Sequence, residues 1–373
     1  MPRIEILSAE IREQIVSEAF ALLQGLGMRV GHEEARTLLE EAGADVDRAQ
    51  GVARLSEGLV RRALETVPRE FQLFGRDAKP QVQYGGDAVQ FDPGSSALNV
   101  LDPDTGEHRS GLSADLLRLV KVTEMLPQFE AQSTALVCSD IPKEVGDLYR
   151  LYLVLLHSSK PIVTGAFSLT TLGTMIDMVE VAGGPPAADQ PRAVFDVCPS
   201  PPLNWGEFGS GSLIQLARAR VPAEMVSMPL AGATAPVTLA GAVVQHAAEC
   251  LGGITIHQLA QPGAPIVWGG APAIFDMRHG TTPMGAMETA MIDAAYADVG
   301  KSFGLPTHAY MCASDGKMLD AQAGMESVMT ALVGALAGIN MISGAGMLDF
   351  LACQSVEKLV LDEIGRASCR ERV

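Results

Sequence analysis

From residue 113 onward, short apolar runs alternate with longer stretches whose apolar residues recur every three or four positions. The runs 132–138, 162–167, 193–198, 225–228, 265–269, 307–312 and 339–343 predict strands. The stretches 114–125, 144–156, 171–182, 212–220, 237–259, 285–303 and 321–336 predict helices between them. The strand runs are apolar without strict alternation, as expected of strands covered on both faces. They return at a period of about 30 to 40 residues, the length a strand–helix–strand unit needs. Seven strands in this rhythm predict an α/β fold, a TIM-type (β/α)8 barrel. An open doubly wound sheet is the alternative, but no G-x-G-x-x-G follows a first strand and no P-loop is present.

The first 112 residues follow a different pattern. Amphipathic helices are predicted at 8–26, 33–42 and from Ser56 to Leu64, the last capped by Ser56. Residues 71–104 alternate as strands do, with turns at Tyr84-Gly-Gly86 and Asp92-Pro-Gly94. Residues 1–112 are therefore read as an N-terminal helical and hairpin extension, and 113–364 as the barrel. The last nine residues, 365–373, are basic where the rest is acidic and offer no apolar face. They are expected to be a non-native tail, which implies that the barrel lacks its closing elements.

The 373 residues are 47% apolar and 19% charged, which excludes a disordered chain. The net charge of −17 makes nucleic acid an improbable partner. No apolar run reaches the roughly 18 residues of a membrane span, and no signal peptide opens the chain, so a cytoplasmic protein is expected. The six cysteines are too widely spaced for a zinc site or a disulfide framework and are expected to be reduced thiols; no metal site is predicted. A homo-oligomer is expected.

Candidate chemistry lies where predicted strands give way to helices, because a barrel builds its site there. Glycine, small residues and a few polar groups recur at 231–241, 263–270, 276–278, 314–317, 320–324 and 335–340. Aromatic residues make up only 5% of the chain, so those near strand ends stand out: Phe167, Trp205, Phe208, Trp268, Phe275 and Tyr310. Asp276 and Arg278 either pair with each other or hold a substrate, Arg278 through its planar fork. Asp315, Lys317, Asp320 and Gln322 form a polar cluster after the sixth strand, with His308 close by. Each has a plain structural alternative: Trp268 as barrel filler, Trp205 as a loop cover, His308 as a core residue.

The order of these segments, together with Asp92-Pro-Gly-Ser-Ser96, residues 102–106 with Arg109, and Ser355-Val-Glu-Lys-Leu-Val-Leu-Asp362, resembles the trimethylamine methyltransferase family. The resemblance runs from Leu7 to Ile364. It implies a TIM barrel that passes a methyl group from an amine to the cobalt of a corrinoid (cobalamin) carried by a separate small protein, with no cofactor held tightly by this chain. The trimethylamine enzymes of the family carry pyrrolysine, whereas this sequence has only the twenty ordinary residues. The resemblance therefore implies a quaternary, betaine-like amine. The site set expected on this basis is Asp315, Lys317 and Gln322 for catalysis, with Trp205, Trp268, Phe275, Asp276, Arg278, His308 and Tyr310 around the substrate. Two rival readings stay open: a Schiff-base enzyme using Lys317, and a non-catalytic module that binds betaines or a corrinoid protein.

Overall fold

The computed structural model describes residues 3–183 and 189–371, with side chains up to residue 363. Eight parallel strands form the centre: β1 Gln90–Pro93, β2 Gln132–Ser133, β3 Ile162–Thr164, β4 Ala193–Val197, β5 Ala223–Met225, β6 Ile266–Gly270, β7 Thr307–Tyr310 and β8 Met341–Ala345. Neighbours pair in chain order from β2 to β8, and β8 then pairs with β1, Ser343 lying opposite Asp92. The ring closes just past the ends of β1 and β2. There Ala97 N–H donates to the Ala135 carbonyl at 3.1 Å and Val137 N–H to the Ala97 carbonyl at 2.8 Å.

The helices are α1 Ser113–Met125, α2 Gly146–His157, α3 Leu169–Gly183, α4 Glu207–Ala219, α5 Leu239–Ala260, α6 Met287–Ser302, α7 Ala321–Leu336 and α8 Val356–Glu371. Their starts are chemically marked. Thr238 accepts from Gly241 N–H ahead of α5, and Asp320 accepts from Gln322 and Ala323 N–H ahead of α7. Among the described residues α5 alone is long and apolar enough to cross a membrane, but 83% of that stretch is buried. Its apolar surface is covered by the barrel on one side and by the N-terminal helices Ala9–Gly25, Glu33–Glu41 and Glu57–Thr66 on the other.

Two expectations are corrected here. The first barrel strand lies ahead of residue 113, inside the stretch assigned to the extension. Its four residues run straight into Asp92-Pro-Gly94, which reads as a turn. This strand completes the eight of the expected (β/α)8 barrel, of which the rhythm after residue 113 shows seven, and the closing pair is present. The strand placed at 225–228 begins two residues earlier, at Ala223. The side chains of the expected tail lie outside those described.

The hairpin Phe71–Phe74/Pro80–Tyr84 forms as the alternation predicts and plugs the barrel from below. Leu73, Val82 and Tyr84 pack against Ala131, Val163, Val194, Val267 and Met341 from five barrel strands and their approaches. Fully burying a residue such as Leu73 stabilises the fold by roughly 1.5–3 kcal/mol. The opposite end is pinned by α8. The buried Lys358 ammonium donates to Asp362 at 2.7 Å, to Ser327 Oγ at 2.6 Å and to the Cys312 carbonyl at 3.3 Å, while Asp362 accepts from Gly346 N–H at 2.7 Å.

Candidate active site

The barrel's lower layer is apolar, and its upper layer is filled with acids. Asp92 on β1, Asp196 on β4 and Glu224 on β5 all stand among apolar neighbours, and β4 and β5 place Asp196 beside Glu224 in register. Tyr84 rises from the plug and donates to Glu224 Oε2 at 2.8 Å. Ser343 donates to Asp92 Oδ1 at 2.5 Å, which leaves its oxygen to accept from His308 Nε2 at 3.1 Å; the same nitrogen stands 3.4 Å from Glu224 Oε1. This network assigns the His308 proton to Nε2. Among the described residues Nδ1 has no hydrogen-bond partner, and it lies over Gly269, where a Cβ would come within 2.9 Å of it, so only glycine lets the ring occupy the barrel's axis.

Above this layer, Tyr310 donates to Asp196 Oδ2 at 3.2 Å and accepts from Ser95 Oγ at 2.6 Å. Burial raises the Asp196 carboxyl to about 7, against the pull of the Tyr310 bond. Glu224 is raised well above the usual carboxylate range, by burial first and by the Asp196 charge second. The two carboxyls stand side by side in register and burial pushes both toward their protonated forms, so they are not ionised together. Burial lowers His308 to about 3, so it is a neutral imidazole. Asp196 is only partly buried, whereas Glu224 and His308 are sealed beneath it. The arrangement presents one shared negative charge and a phenol at the strand ends, backed by fixed dipoles.

Backbone strain collects at the same end. Ser96 (φ 62°) follows β1, Cys312 (φ 66°) follows β7, and Asp349, Phe350 and Leu351 (φ 50°, 56° and 69°) form a left-handed turn after β8. Each such residue costs roughly 1–2 kcal/mol. Leu351 packs with Tyr310, Val226, Ala271, Ala273 and Met284 in an apolar collar around the mouth.

The expected site residues divide sharply. His308 and Tyr310 are in the network. Both tryptophans are misplaced by the sequence reading. Trp268 faces outward from β6, donating to the Tyr296 carbonyl at 3.0 Å beneath α6, because it is Gly269, one residue on, that faces the axis. Trp205 donates to the Glu249 carbonyl at 2.9 Å and packs against Gly209 and Gly253 between α4 and α5. Phe275, Asp276 and Arg278 lie on the loop after β6. Asp276 pairs with His279 Nδ1 at 2.8 Å rather than with Arg278, whose side chain is exposed.

Asp315, Lys317 and Gln322 do not converge. Asp315 accepts from Met284 and Gly285 N–H and is raised to about 6 by burial. Lys317 is exposed and pairs with Asp349 at 3.4 Å, which is not the desolvated setting a Schiff-base lysine needs. Gln322 bonds Glu326 on the surface of α7. Turn and cap bonding accounts for this cluster's density. The residues missed are Asp92, Asp196, Glu224, Ser95, Ser343 and Tyr84. The available signal was an acid inside an apolar strand: Asp196 within 193–198, and Glu224 just before a strand that was begun two residues too late.

The family model for trimethylamine methyltransferases matches residues 1–365. The chain belongs to the trimethylamine methyltransferase family. It is accordingly a methyltransferase. A trimethylamine methyltransferase of Desulfitobacterium hafniense (strain DSM 10664 / DCB-2) is 30% identical over 350 residues, spanning 93% of this chain and 71% of that protein. Its counterpart from Methanosarcina barkeri is 32% identical over 352 residues, 91% of this chain and 70% of that one. A glycine betaine methyltransferase of Desulfitobacterium hafniense (strain Y51) is 28% identical over 367 residues, 97% of this chain and 76% of that protein. The crystal structure of the Methanosarcina barkeri monomethylamine methyltransferase shares the fold, with a TM-score of 0.66 at 15% identity over 98% of this chain and 76% of that one.

Proposed function

We propose that this methyltransferase demethylates a quaternary ammonium compound and passes the methyl to a corrinoid on a separate small protein. The observation that carries the reading is the partly open Asp196 carboxyl under the Tyr310 hydroxyl, with the buried Glu224 beside it in register. A single negative charge in a water-poor barrel suits a permanent cation, and an aromatic face adds roughly 0.5–2 kcal/mol.

The bound corrinoid would supply a Co(I) nucleophile able to take a methyl group. The chain's part is to bind, orient and dry the amine. A quaternary nitrogen leaves as a neutral tertiary amine, so no residue must protonate it. This agrees with a site whose histidine is held neutral. As positive charge drains from nitrogen, the Asp196 carboxylate loses its partner and regains affinity for a proton, which favours release of the neutral product. The acidic interior, which suits a permanent cation, supports the quaternary reading over trimethylamine. The half-open position of Asp196 at the strand ends supports access by a carrier from that face.

The test is a demethylation assay on the full chain with reduced corrinoid and a panel of amines, followed by the visible absorbance of methyl-cobalt. Turnover with a quaternary amine and none with trimethylamine is the expected result. Turnover with trimethylamine alone would overturn the proposal.

A further inference from the structure

The mouth also holds a buried cation that, among the described residues, no carboxylate bonds directly, although the Asp147 charge supports it from a distance. Arg150, on α2, is completely buried. Its Nη1 donates to Ser96 Oγ and to the Thr134 carbonyl, both at 3.0 Å. Among the described residues Nη2 reaches only the Gly165 carbonyl, at 3.5 Å, and Nε has no hydrogen-bond partner. Asp147, one helical turn earlier, is occupied elsewhere: its oxygens accept from Leu148 N–H, Phe167 N–H and Thr171 Oγ. Burying a charge on neutral acceptors alone is costly, and the groups left unmade deserve an occupant.

Those groups are specific. Nε–H and Nη2–H point along one edge of the guanidinium, and that edge is the fork that grips a carboxylate with two parallel bonds. Its neighbours sit at the ends of β1, β2 and β3, the same end of the barrel at which Asp196 closes β4. Two adjacent serines join the charges. Ser96 takes Arg150 Nη1, while Ser95 reaches Tyr310 and through it Asp196. One side of the mouth is therefore cationic and the other anionic, a few residues apart. Phe167, half exposed, stacks on the guanidinium with its centroid 4.6 Å away.

Resting on the quaternary-amine reading above, we propose that Arg150 is the anion-binding half of the substrate site. The preferred substrate is then a zwitterion, a quaternary ammonium with a carboxylate a few bonds from nitrogen. The nitrogen lies toward Asp196 and Tyr310, the carboxylate takes the Nε/Nη2 fork, and the Phe167 ring swings aside to admit it. The loop residue Arg278, exposed and remote from this network, is not required for that task.

Calorimetric binding to the full chain tests this without any corrinoid. The probes are glycine betaine and choline, the second carrying an alcohol in place of the carboxylate. Wild-type protein should bind glycine betaine at least ten-fold more tightly than choline. Arg150→Gln should erase that difference and leave the choline affinity unchanged, and Arg150→Lys should keep part of it, as a charge without a fork. Melting curves check that the variants fold, and if Arg150→Gln does not, acetate competition on wild-type protein decides: acetate should displace glycine betaine and spare choline. Equal wild-type affinity for the two probes would overturn the role of Arg150 and leave the quaternary reading standing. So would an equal loss of both ligands in Arg150→Gln, or acetate that displaces neither. Binding of trimethylamine with neither quaternary probe bound would overturn both.

Discussion

The two ends of this barrel are built on opposite principles. At the bottom, Leu73, Val82 and Tyr84 of the plug meet Val163, Val194 and Val267 in an uncharged layer, with left-handed backbone at the hairpin turn (Ala78) and after Tyr84 (Gly85, Gly86) and not in the layer itself. At the top, three carboxyls, a guanidinium bonded only to neutral acceptors among the described residues and five left-handed residues share one rim. The lower layer follows every local rule of packing, and the upper one breaks several at once. Strain and buried charge persist only where the surrounding structure over-determines them, and here they gather at the end proposed to act on a ligand. The plug and α8 supply that surplus, one from beneath and one from the side.

The largest effect should come from the acids. Asp196→Asn removes the negative charge under Tyr310, and kcat/KM for a quaternary amine should fall about thirty- to several-thousand-fold, the 2–5 kcal/mol that loss of a buried charge partner costs. Stability should move the other way. A carboxyl whose folded pKa is raised from about 4 to near 7 contributes stability in full below pH 4, and that contribution is lost as the pH rises through 7. Asp196→Asn should therefore melt higher than wild type at pH 8, with the gap closing toward pH 4. A lower melting temperature at pH 8 would show the carboxylate to be a fold-holding group. At the other end, Leu73→Ala should cost about 2–5 kcal/mol in denaturant unfolding and leave KM near its wild-type value. A KM change beyond about three-fold would break the separation of the two ends.

That contrast also explains how much the sequence disclosed. The rhythm of strands and helices was legible because each α/β unit repeats the same burial problem, and the plug hairpin was legible because Phe71 to Tyr84 alternates. Strand β1 was hidden by its brevity and by the Asp92-Pro-Gly94 signal beside it. The site was legible only where a residue is chemically conspicuous and also faces inward, as His308 and Tyr310 do. Trp268 is as conspicuous and faces outward, since one residue of register decides the face. Asp196 and Glu224 are ordinary residue types whose meaning comes from having no water around them, and a sequence does not display that. Arg150 looked like one more charge on a helix.

A smaller effect sharpens the acid's role. The cation competes with the proton for Asp196, so the affinity of wild-type protein for a quaternary amine should rise with pH through about 7 and level off above 8, falling up to ten-fold per unit on the acid side. His308, held near 3 by burial, adds no step between pH 5 and 9. The profile of Asp196→Asn should be flat over that range. A step that survives in Asp196→Asn would assign the titration to Glu224.

The smallest effect concerns the residue the sequence made most prominent. Trp268→Phe keeps an aromatic ring under α6 and removes one buried bond, Nε1 to the Tyr296 carbonyl. The carbonyl loses a donor with no water to replace it, so the cost to stability should be about 1–3 kcal/mol. Because Gly269, not Trp268, borders His308, the affinity for a quaternary amine should change less than two-fold. Calorimetry and unfolding on the same variant separate the two quantities. A loss of affinity larger than the loss of stability would mean that the outer face of β6 communicates with the mouth, most directly through Tyr296, whose hydroxyl bonds the carbonyls of Gly270 and His308.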